Sequence, residues 1–169
     1  PDLHFFYPTI SIQKPKEKLS ESKRYFSEFQ KTLINNLTIT GDQWGLKLKS
    51  SKKANIRSAD LLEIKKISNL KSYEGGYKVF IIWGAETIIR KSSSILLKTI
   101  EEPGPKTLFI LISNNTHMLL PTIRSRLQEK KLKTINEGVL FSHFTKNYPE
   151  LNSDIIRNLI KRCGCSYHD

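Results

Sequence analysis

The stretch Lys78–Ile112, KVFIIWGAETIIRKSSSILLKTIEEPGPKTLFILI, decides the fold of this chain. It contains two nearly continuous apolar runs, at Lys78–Trp83 and Thr107–Ile112, which are typical of strands buried on both faces. Between them, apolar residues at three- and four-residue spacing predict a helix over 92–102, which ends before Pro103. A strand, a helix and a second strand in this order predict a parallel sheet with helices on both faces.

Toward the amino terminus, the apolar pattern predicts one strand, one helix and a surface segment. The strand is expected at 2–7 and stops at the following proline. Apolar residues at helical spacing from Ser20 onward predict one amphipathic helix that ends at Gly41. In the segment 42–55, Trp44 is one of few large apolar side chains among lysines, and we therefore expect this segment to lie on the surface.

The remaining elements are predicted to be mainly helical. A second helix begins at Ser58 and is expected to continue to the Glu74–Gly76 turn. Beyond the two strands, Pro121 predicts one turn of helix and 128–132 predicts a weak strand. Two amphipathic helices then follow within 139–160. The pattern is that of an α/β domain followed by the start of a helical one.

The chain is strongly basic. Its 169 residues include 28 Lys and Arg against 16 Asp and Glu, which gives a formal net charge of +12. Part of this excess is concentrated between Lys47 and Lys71. A field of this sign attracts phosphates and acidic partners, although a solvated lysine-rich surface has the same composition. Charge alone therefore leaves DNA binding open.

Composition excludes several classes of protein. The longest apolar run, 79–83, is far shorter than the roughly 20 residues that cross a bilayer, so we do not expect a membrane protein. Cys163 and Cys165 cannot supply a disulfide framework or two spaced pairs of zinc ligands, and we expect no metal and a reducing, cytoplasmic compartment. Because the chain opens on Pro1 rather than Met, we expect a piece cut from a longer protein.

Four blocks of sequence carry a resemblance to a known family. They occur in one order at close spacing, at Lys78–Ile82, Ser94–Pro103, Leu108–Ile112 and Pro121–Arg126. Together they resemble the bacterial clamp loader subunits, the AAA+ proteins of DNA polymerase III of the gamma/tau and delta-prime types. The resemblance covers the chain from residue 78 to residue 126 without a gap.

This resemblance implies a fold class and a domain organisation. We expect an AAA+ type parallel sheet with flanking helices, whose amino-terminal part with the phosphate loop is missing from the sequence. Residues 1–135 would be the remainder of this α/β core domain, with a basic insertion at about 10–55. Residues 136–169 would be the start of a small α-helical lid domain, and we expect the collar domain of the family to lie outside this sequence.

The first strand departs from the family at its carboxyl end. In ATP-hydrolysing members it ends in Asp-Glu, because an acidic pair must organise Mg²⁺ and polarise the attacking water. Trp83 and Gly84 stand at these positions, and we do not expect Glu86 to replace them. A G-x-x-x-x-G-K-[ST] phosphate loop is also absent from the sequence. The resemblance therefore implies a delta-prime type without intrinsic ATPase or a cofactor of its own, with ATP and Mg²⁺ bound by the neighbouring subunit.

Arg126 has the sharpest role that the resemblance implies. In the family, the arginine of the Ser-Arg motif, here Ser125-Arg126, projects into the ATP site of the adjacent subunit. A fixed guanidinium there stabilises the negative charge that develops on the γ-phosphate. Without the family context, Arg126 would be an exposed arginine at a helix end that pairs with nothing.

Two further sets of polar residues match functional positions of the family. Ser113 and Asn114 follow the second strand at a sensor-like position, where they would bond a nucleotide phosphate or only cap the strand end. The DNA-binding candidates lie on or just before the helix that faces the DNA chamber in the family, and a solvated helix face is the alternative. These candidates are Arg90, Lys91, Ser92 and Lys98.

The implied function is that of a non-catalytic clamp loader subunit, which takes part in loading the sliding clamp onto primed DNA during replication. Its partners would be the gamma/tau and delta subunits, the sliding clamp and primer-template DNA. Two alternatives stay open, an ATP-hydrolysing gamma/tau-type subunit and a stand-alone basic nucleic-acid-binding domain. A phosphate loop in the residues upstream of Pro1 would favour the first alternative.

Overall fold

The computed structural model describes residues 2–10, 20–35, 39–50, 52–73, 75–133 and 135–162 of the chain. It contains two compact units, Pro1–Gln128 and Glu129–Asp169. The sequence places the boundary after residue 135 instead, and the assignment of the two parts as a core and a lid stays a prediction. Cys163 and Cys165 lie outside the described residues.

The first unit contains strands, helices and turns in an α/β arrangement. In chain order its elements are β1 (Leu3–Phe6), α1 (Glu21–Arg24), α2 (Phe26–Asn35), α3 (Gly41–Lys47), α4 (Ser58–Ser68), β2 (Lys78–Trp83), α5 (Ser93–Glu101), β3 (Thr107–Ile112) and α6 (Pro121–Arg124). Two turns of 3₁₀ helix, Ala85–Thr87 and Arg90–Ser92, connect β2 to α5.

The three strands form one parallel sheet in the order β1-β2-β3. Leu3 is paired with Val79, and Lys78 is paired with Thr107. The predicted strands at 78–83 and 107–112 are confirmed residue for residue, because continuous apolar runs leave little choice of boundary. The predicted parallel arrangement is confirmed with them.

The two faces of the sheet are covered to different extents. Helices α4 and α5 bury one face in a core that includes Phe80, Ile82 and Leu96. A second apolar cluster around Trp44 covers the opposite face at β1 and at the end of β2. At β3 that opposite face is open among the described residues, with Leu108, Ile110 and Ile112 exposed by 47%, 39% and 42%. Among the described residues, both faces are therefore covered at β1 and at the end of β2, as expected, whereas one face of β3 is open.

The segment predicted to lie on the surface contains a core helix instead. Thr40 and Gln43 form a capping box, in which the Thr40 hydroxyl accepts from the Gln43 backbone N–H and the Gln43 side chain accepts from the Thr40 N–H. Gly41 consequently begins α3 and does not end the preceding helix. Trp44 is completely buried, and Leu48 is buried beside it in the same cluster.

Other predicted boundaries are also wrong. The helix predicted from Ser20 is interrupted at Tyr25, where α1 ends and α2 begins. Helix α4 ends at Ser68, well before the Glu74–Gly76 turn. The weak strand predicted at 128–132 does not form, and all of these side chains are exposed without an apolar anchor.

The Lys78 side chain caps the carboxyl end of α4. Its side chain is 1% exposed, and its Nζ donates to the carbonyl oxygens of Ile67 at 3.2 Å and of Ser68 at 2.6 Å, and also to that of Leu70. A helix leaves its last carbonyl groups without partners, and an ammonium group both bonds them and interacts favourably with the negative end of the helix dipole. Burial lowers the Lys78 pKa.

The second unit contains α7 (Glu137–Asn147) and α8 (Ser153–Arg162), as the sequence predicts. The Asn136 side chain caps α7 by accepting from the Gly138 backbone N–H at 2.8 Å. Leu140 of α7 is buried together with Ile156 and Ile160 of α8. None of the helices in the described parts of the chain has the length and apolar content that crossing a bilayer requires.

Candidate functional site

The carboxyl ends of β2 and β3 bring two predicted functional positions together, the one at Trp83 and Gly84 and the sensor-like one at Ser113. Trp83 pairs with Ile112 in the parallel register, so Gly84 and Ser113 are the next residues along neighbouring strands. Ligands of parallel α/β sheets bind beyond the carboxyl ends of the strands, and this edge is therefore the candidate site.

Trp83 packs against the apolar cluster around Trp44. Its indole lies against the ring of Phe29 of α2, with the ring centroids 5.8 Å apart and the planes inclined by 38°. Phe29 in turn stacks on Tyr7 and contacts the edge of Trp44. An aspartate at position 83 would place a carboxylate among these aromatic rings, and burying such a charge without a partner is costly.

Gly84 is restricted both by its backbone and by its surroundings. It adopts a φ of 69°, which side chains with a Cβ rarely adopt. A Cβ at this position would lie 2.7 Å from Cγ of Pro8. Pro8 is itself fixed, because its carbonyl oxygen accepts from Trp44 Nε1 at 2.7 Å. Position 84 therefore lacks a glutamate, and a glutamate placed there would clash with Pro8.

Two buried polar atoms near this edge make no hydrogen bond to the described residues. Ser113 Oγ and one carboxylate oxygen of Glu86 are buried atoms that have no hydrogen-bond partner there. The Ser113 hydroxyl consequently does not cap the end of β3 through any described residue, whereas Asn114 is exposed. The described part of the chain contains no group of three or more His, Cys, Asp or Glu side chains that could hold a metal ion.

Arg126 is paired, unlike the isolated arginine that its position at a helix end suggests. Its Nε donates to Glu101 at the end of α5, and its Nη1 donates to the carbonyl oxygen of Thr122 at 2.9 Å. Ser125 Oγ donates to the same carbonyl at 3.2 Å. The side chains of Arg126 and Glu101 are 38% and 42% exposed, so the pair lies at the surface. Sequence reasoning missed Glu101, although it belongs to the Ser94–Pro103 block that carries the resemblance.

The DNA-binding candidates occupy one short region before and within α5. Arg90 and Lys91 are exposed in the 3₁₀ turn, and Lys98 is exposed on α5 itself. Ser92 is half-buried at the N-cap position, but its hydroxyl does not cap the helix. Three exposed cations near one helix can contact phosphates, and they equally fit a solvated surface.

A buried carboxylate that sequence reasoning missed connects two segments of the first unit through hydrogen bonds. Asp60 of α4 is fully buried and accepts from the backbone N–H of Ser22 at 2.9 Å and of Arg57 at 3.4 Å. Burial raises the Asp60 pKa, while these hydrogen bonds and the Arg57 charge act in the opposite direction. Its position at the start of a helix was the available signal.

Comparisons with known proteins find subunits of DNA polymerase III. The family described as DNA polymerase III, delta subunit, matches residues 9–136. The DNA polymerase III subunit delta' of Haemophilus influenzae is 35% identical over 91 residues, which cover 54% of this chain and 28% of that protein. The DNA polymerase III subunit gamma of Buchnera aphidicola (Schizaphis graminum) is 36% identical over 66 residues, 39% of this chain and 18% of that protein.

A solved structure supports the fold. The crystal structure of a DNA polymerase III gamma subunit-related protein from Thermotoga maritima has a TM-score of 0.52 and 18% identity, and the match covers 94% of this chain and 42% of that one. At this identity the likeness shows the fold alone, and it confirms the expected sheet with flanking helices. The match to the Haemophilus protein spans only 28% of that relative's length.

Proposed function

Because the chain belongs to the DNA polymerase III delta subunit family, we propose that it is part of a delta-prime-type clamp loader subunit that does not hydrolyse ATP. The complete protein would act with gamma/tau and delta subunits to load the sliding clamp onto primer-template DNA, in the cytoplasm. ATP and Mg²⁺ would be bound by a neighbouring subunit.

The observation that carries this proposal is the packing at positions 83 and 84. Phosphoryl transfer to water needs a carboxylate to hold Mg²⁺ and a group to orient the water. The Trp83 side chain lies in the aromatic cluster, and a side chain at Gly84 would clash with the Pro8 ring. Both positions therefore serve packing, which supports a rigid, non-hydrolysing member of the assembly.

The subunit would contribute to catalysis through Arg126 in another subunit's site. Its guanidinium is exposed and already ordered by Glu101 and Thr122, as a group that acts across an interface requires. Arg90, Lys91 and Lys98 would add to the positive surface around primed DNA, where the charges of several subunits converge.

A gamma/tau-type ATPase is the second candidate function. One observation favours it, namely the presence of gamma subunits among the relatives. This candidate requires an acidic group that replaces those missing at 83 and 84, and Glu86 is the carboxylate nearest to them in sequence.

Phosphate release by the purified complete subunit separates the two candidates. We expect no turnover above background with or without primed DNA, since positions 83 and 84 offer no carboxylate. A Glu86→Gln variant serves as the matched test of the remaining acid. DNA-stimulated turnover that is lost in Glu86→Gln would establish the ATPase and refute the delta-prime assignment.

A further inference from the structure

The Arg126 guanidinium is held at two of its three nitrogens by two different elements. Glu101 at the end of α5 accepts from Nε, and the Thr122 carbonyl in α6 accepts from Nη1. The third nitrogen, Nη2, makes no hydrogen bond to the residues that the structure describes. The anchors therefore fix the plane of the group and leave one edge available to an acceptor outside this chain.

We propose that Glu101 is a positioning residue, which orients Arg126 for an anionic oxygen on an adjoining subunit. The inference rests on the proposed function, in which that oxygen belongs to the neighbour's nucleotide. A free arginine side chain samples many rotamers, and each of these must be given up when it bonds a phosphate. Glu101 and Thr122 remove this freedom in advance, so more of the interaction is realised in the transition state.

A role in folding does not explain the pair. Both side chains are more than one third exposed, and ion pairs of this kind contribute little to stability. The pair also joins residues that are 25 positions apart in the sequence, so it fixes the motif relative to α5 rather than stabilising a single helix. The main effect of the contact between Arg126 and Glu101 is therefore to fix the position of the guanidinium.

The alternative is that Glu101 competes with the phosphate and restrains Arg126. The two roles predict opposite effects of removing the carboxylate, because a competitor slows the reaction and a positioning group accelerates it. The arrangement favours positioning, since Glu101 and Thr122 hold two different nitrogens of the guanidinium and together fix its plane, whereas a competitor would need only one contact.

The test uses the reconstituted clamp loader, with its DNA- and clamp-stimulated ATPase measured at saturating and limiting ATP. Misplacing a reacting group costs up to about 100-fold in rate, and we expect losing one of two anchors in Glu101→Ala to lower kcat about tenfold, with KM for ATP nearly unchanged. Glu101→Gln retains an acceptor oxygen and should recover part of this loss. Glu102→Ala, at the adjacent exposed glutamate, is the matched control and should behave as wild type.

The Arg126→Ala background distinguishes the two proposals from each other. If Arg126→Ala lowers kcat, adding Glu101→Ala to it should cause no further loss, because the positioned group is gone. A wild-type or faster rate in Glu101→Ala alone, beside a slow Arg126→Ala complex, would overturn positioning and leave the trans-acting arginine in place. A wild-type rate in Arg126→Ala itself would overturn the proposed function and the positioning role with it.

Discussion

Replacing Gly84 by alanine should destabilise the first unit through two separate effects. The φ of 69° costs a residue with a Cβ about 1–2 kcal/mol. The new Cβ would also lie 2.7 Å from Pro8 Cγ, and overpacking of a fixed neighbour costs about 1–3 kcal/mol more. Pro8 cannot easily move away, because Trp44 Nε1 bonds its carbonyl oxygen. We expect a total loss of about 2–5 kcal/mol.

Gly75 provides the matched control for this prediction. It has a similar φ of 74°, but a Cβ there would meet no atom within 4 Å. Gly75→Ala should therefore show only the backbone cost of about 1–2 kcal/mol. The difference between the two variants isolates the contact with Pro8.

Urea denaturation followed by tryptophan fluorescence measures both variants directly. The chain has two tryptophans, Trp44 and Trp83, and both belong to the cluster beside Gly84, so the signal reports on the first unit. In Gly84→Ala, adding Pro8→Ala should recover much of the excess loss. Equal free energies of unfolding for Gly84→Ala and Gly75→Ala would refute the steric argument, and with it the claim that position 84 cannot carry an acid.

Three further predictions concern the cap of α4, a buried carboxylate and the basic surface. Lys78→Met should cost about 2–4 kcal/mol in the free energy of unfolding, since the carbonyl groups at the end of α4 lose their donor; a thermal or urea transition at the wild-type midpoint would contradict this. Burial raises the Asp60 pKa above 3.8, so the folded chain binds this proton more tightly and the free energy of unfolding should fall as pH rises from about 3.8 through the raised pKa. Asp60→Asn should lack this part of the pH dependence, and an unchanged pH slope in the variant would show that another group causes it. Reversing the charges of Arg90, Lys91 and Lys98 together should weaken binding of the assembled loader to primed DNA and flatten the salt dependence of that binding, while assembly is unaffected. An unchanged salt dependence would show that these three side chains belong to a solvated surface.

The sequence predicts the centre of the fold better than its flanks. β2 and β3 are continuous apolar runs, and α5 lies between them within one residue of its expected limits. Around Gly41 the sequence prediction is wrong, because glycine commonly ends a helix, whereas here the Thr40–Gln43 capping box marks the start of one. The lysines around Trp44 suggested a surface, while a single buried indole was enough to bring α3 into the core.

The candidate site shows a similar division. The absence of acidic residues at positions 83 and 84 can be predicted from the sequence, because the family motif is contiguous there. The reason that no acid fits at Gly84 depends on Pro8, which is distant in sequence and packs against it only in the folded chain. The Glu101 partner of Arg126 also required the structure, because no local spacing connects residues 25 positions apart.

In the proposed function, Arg126 of this chain contributes to catalysis in another polypeptide. The most direct test is the stimulated ATPase rate of the reconstituted clamp loader with Arg126→Ala, compared with Arg124→Ala two residues earlier in the same motif. Trans-acting arginines are worth about 10³-fold or more in related phosphoryl transfers, and a smaller but clear loss is expected where one of several ATP sites borrows the group. We expect a slower rate for Arg126→Ala with the complex intact, no rescue by Arg126→Lys, and a wild-type rate for Arg124→Ala. Wild-type hydrolysis and clamp loading by the Arg126→Ala complex would contradict it.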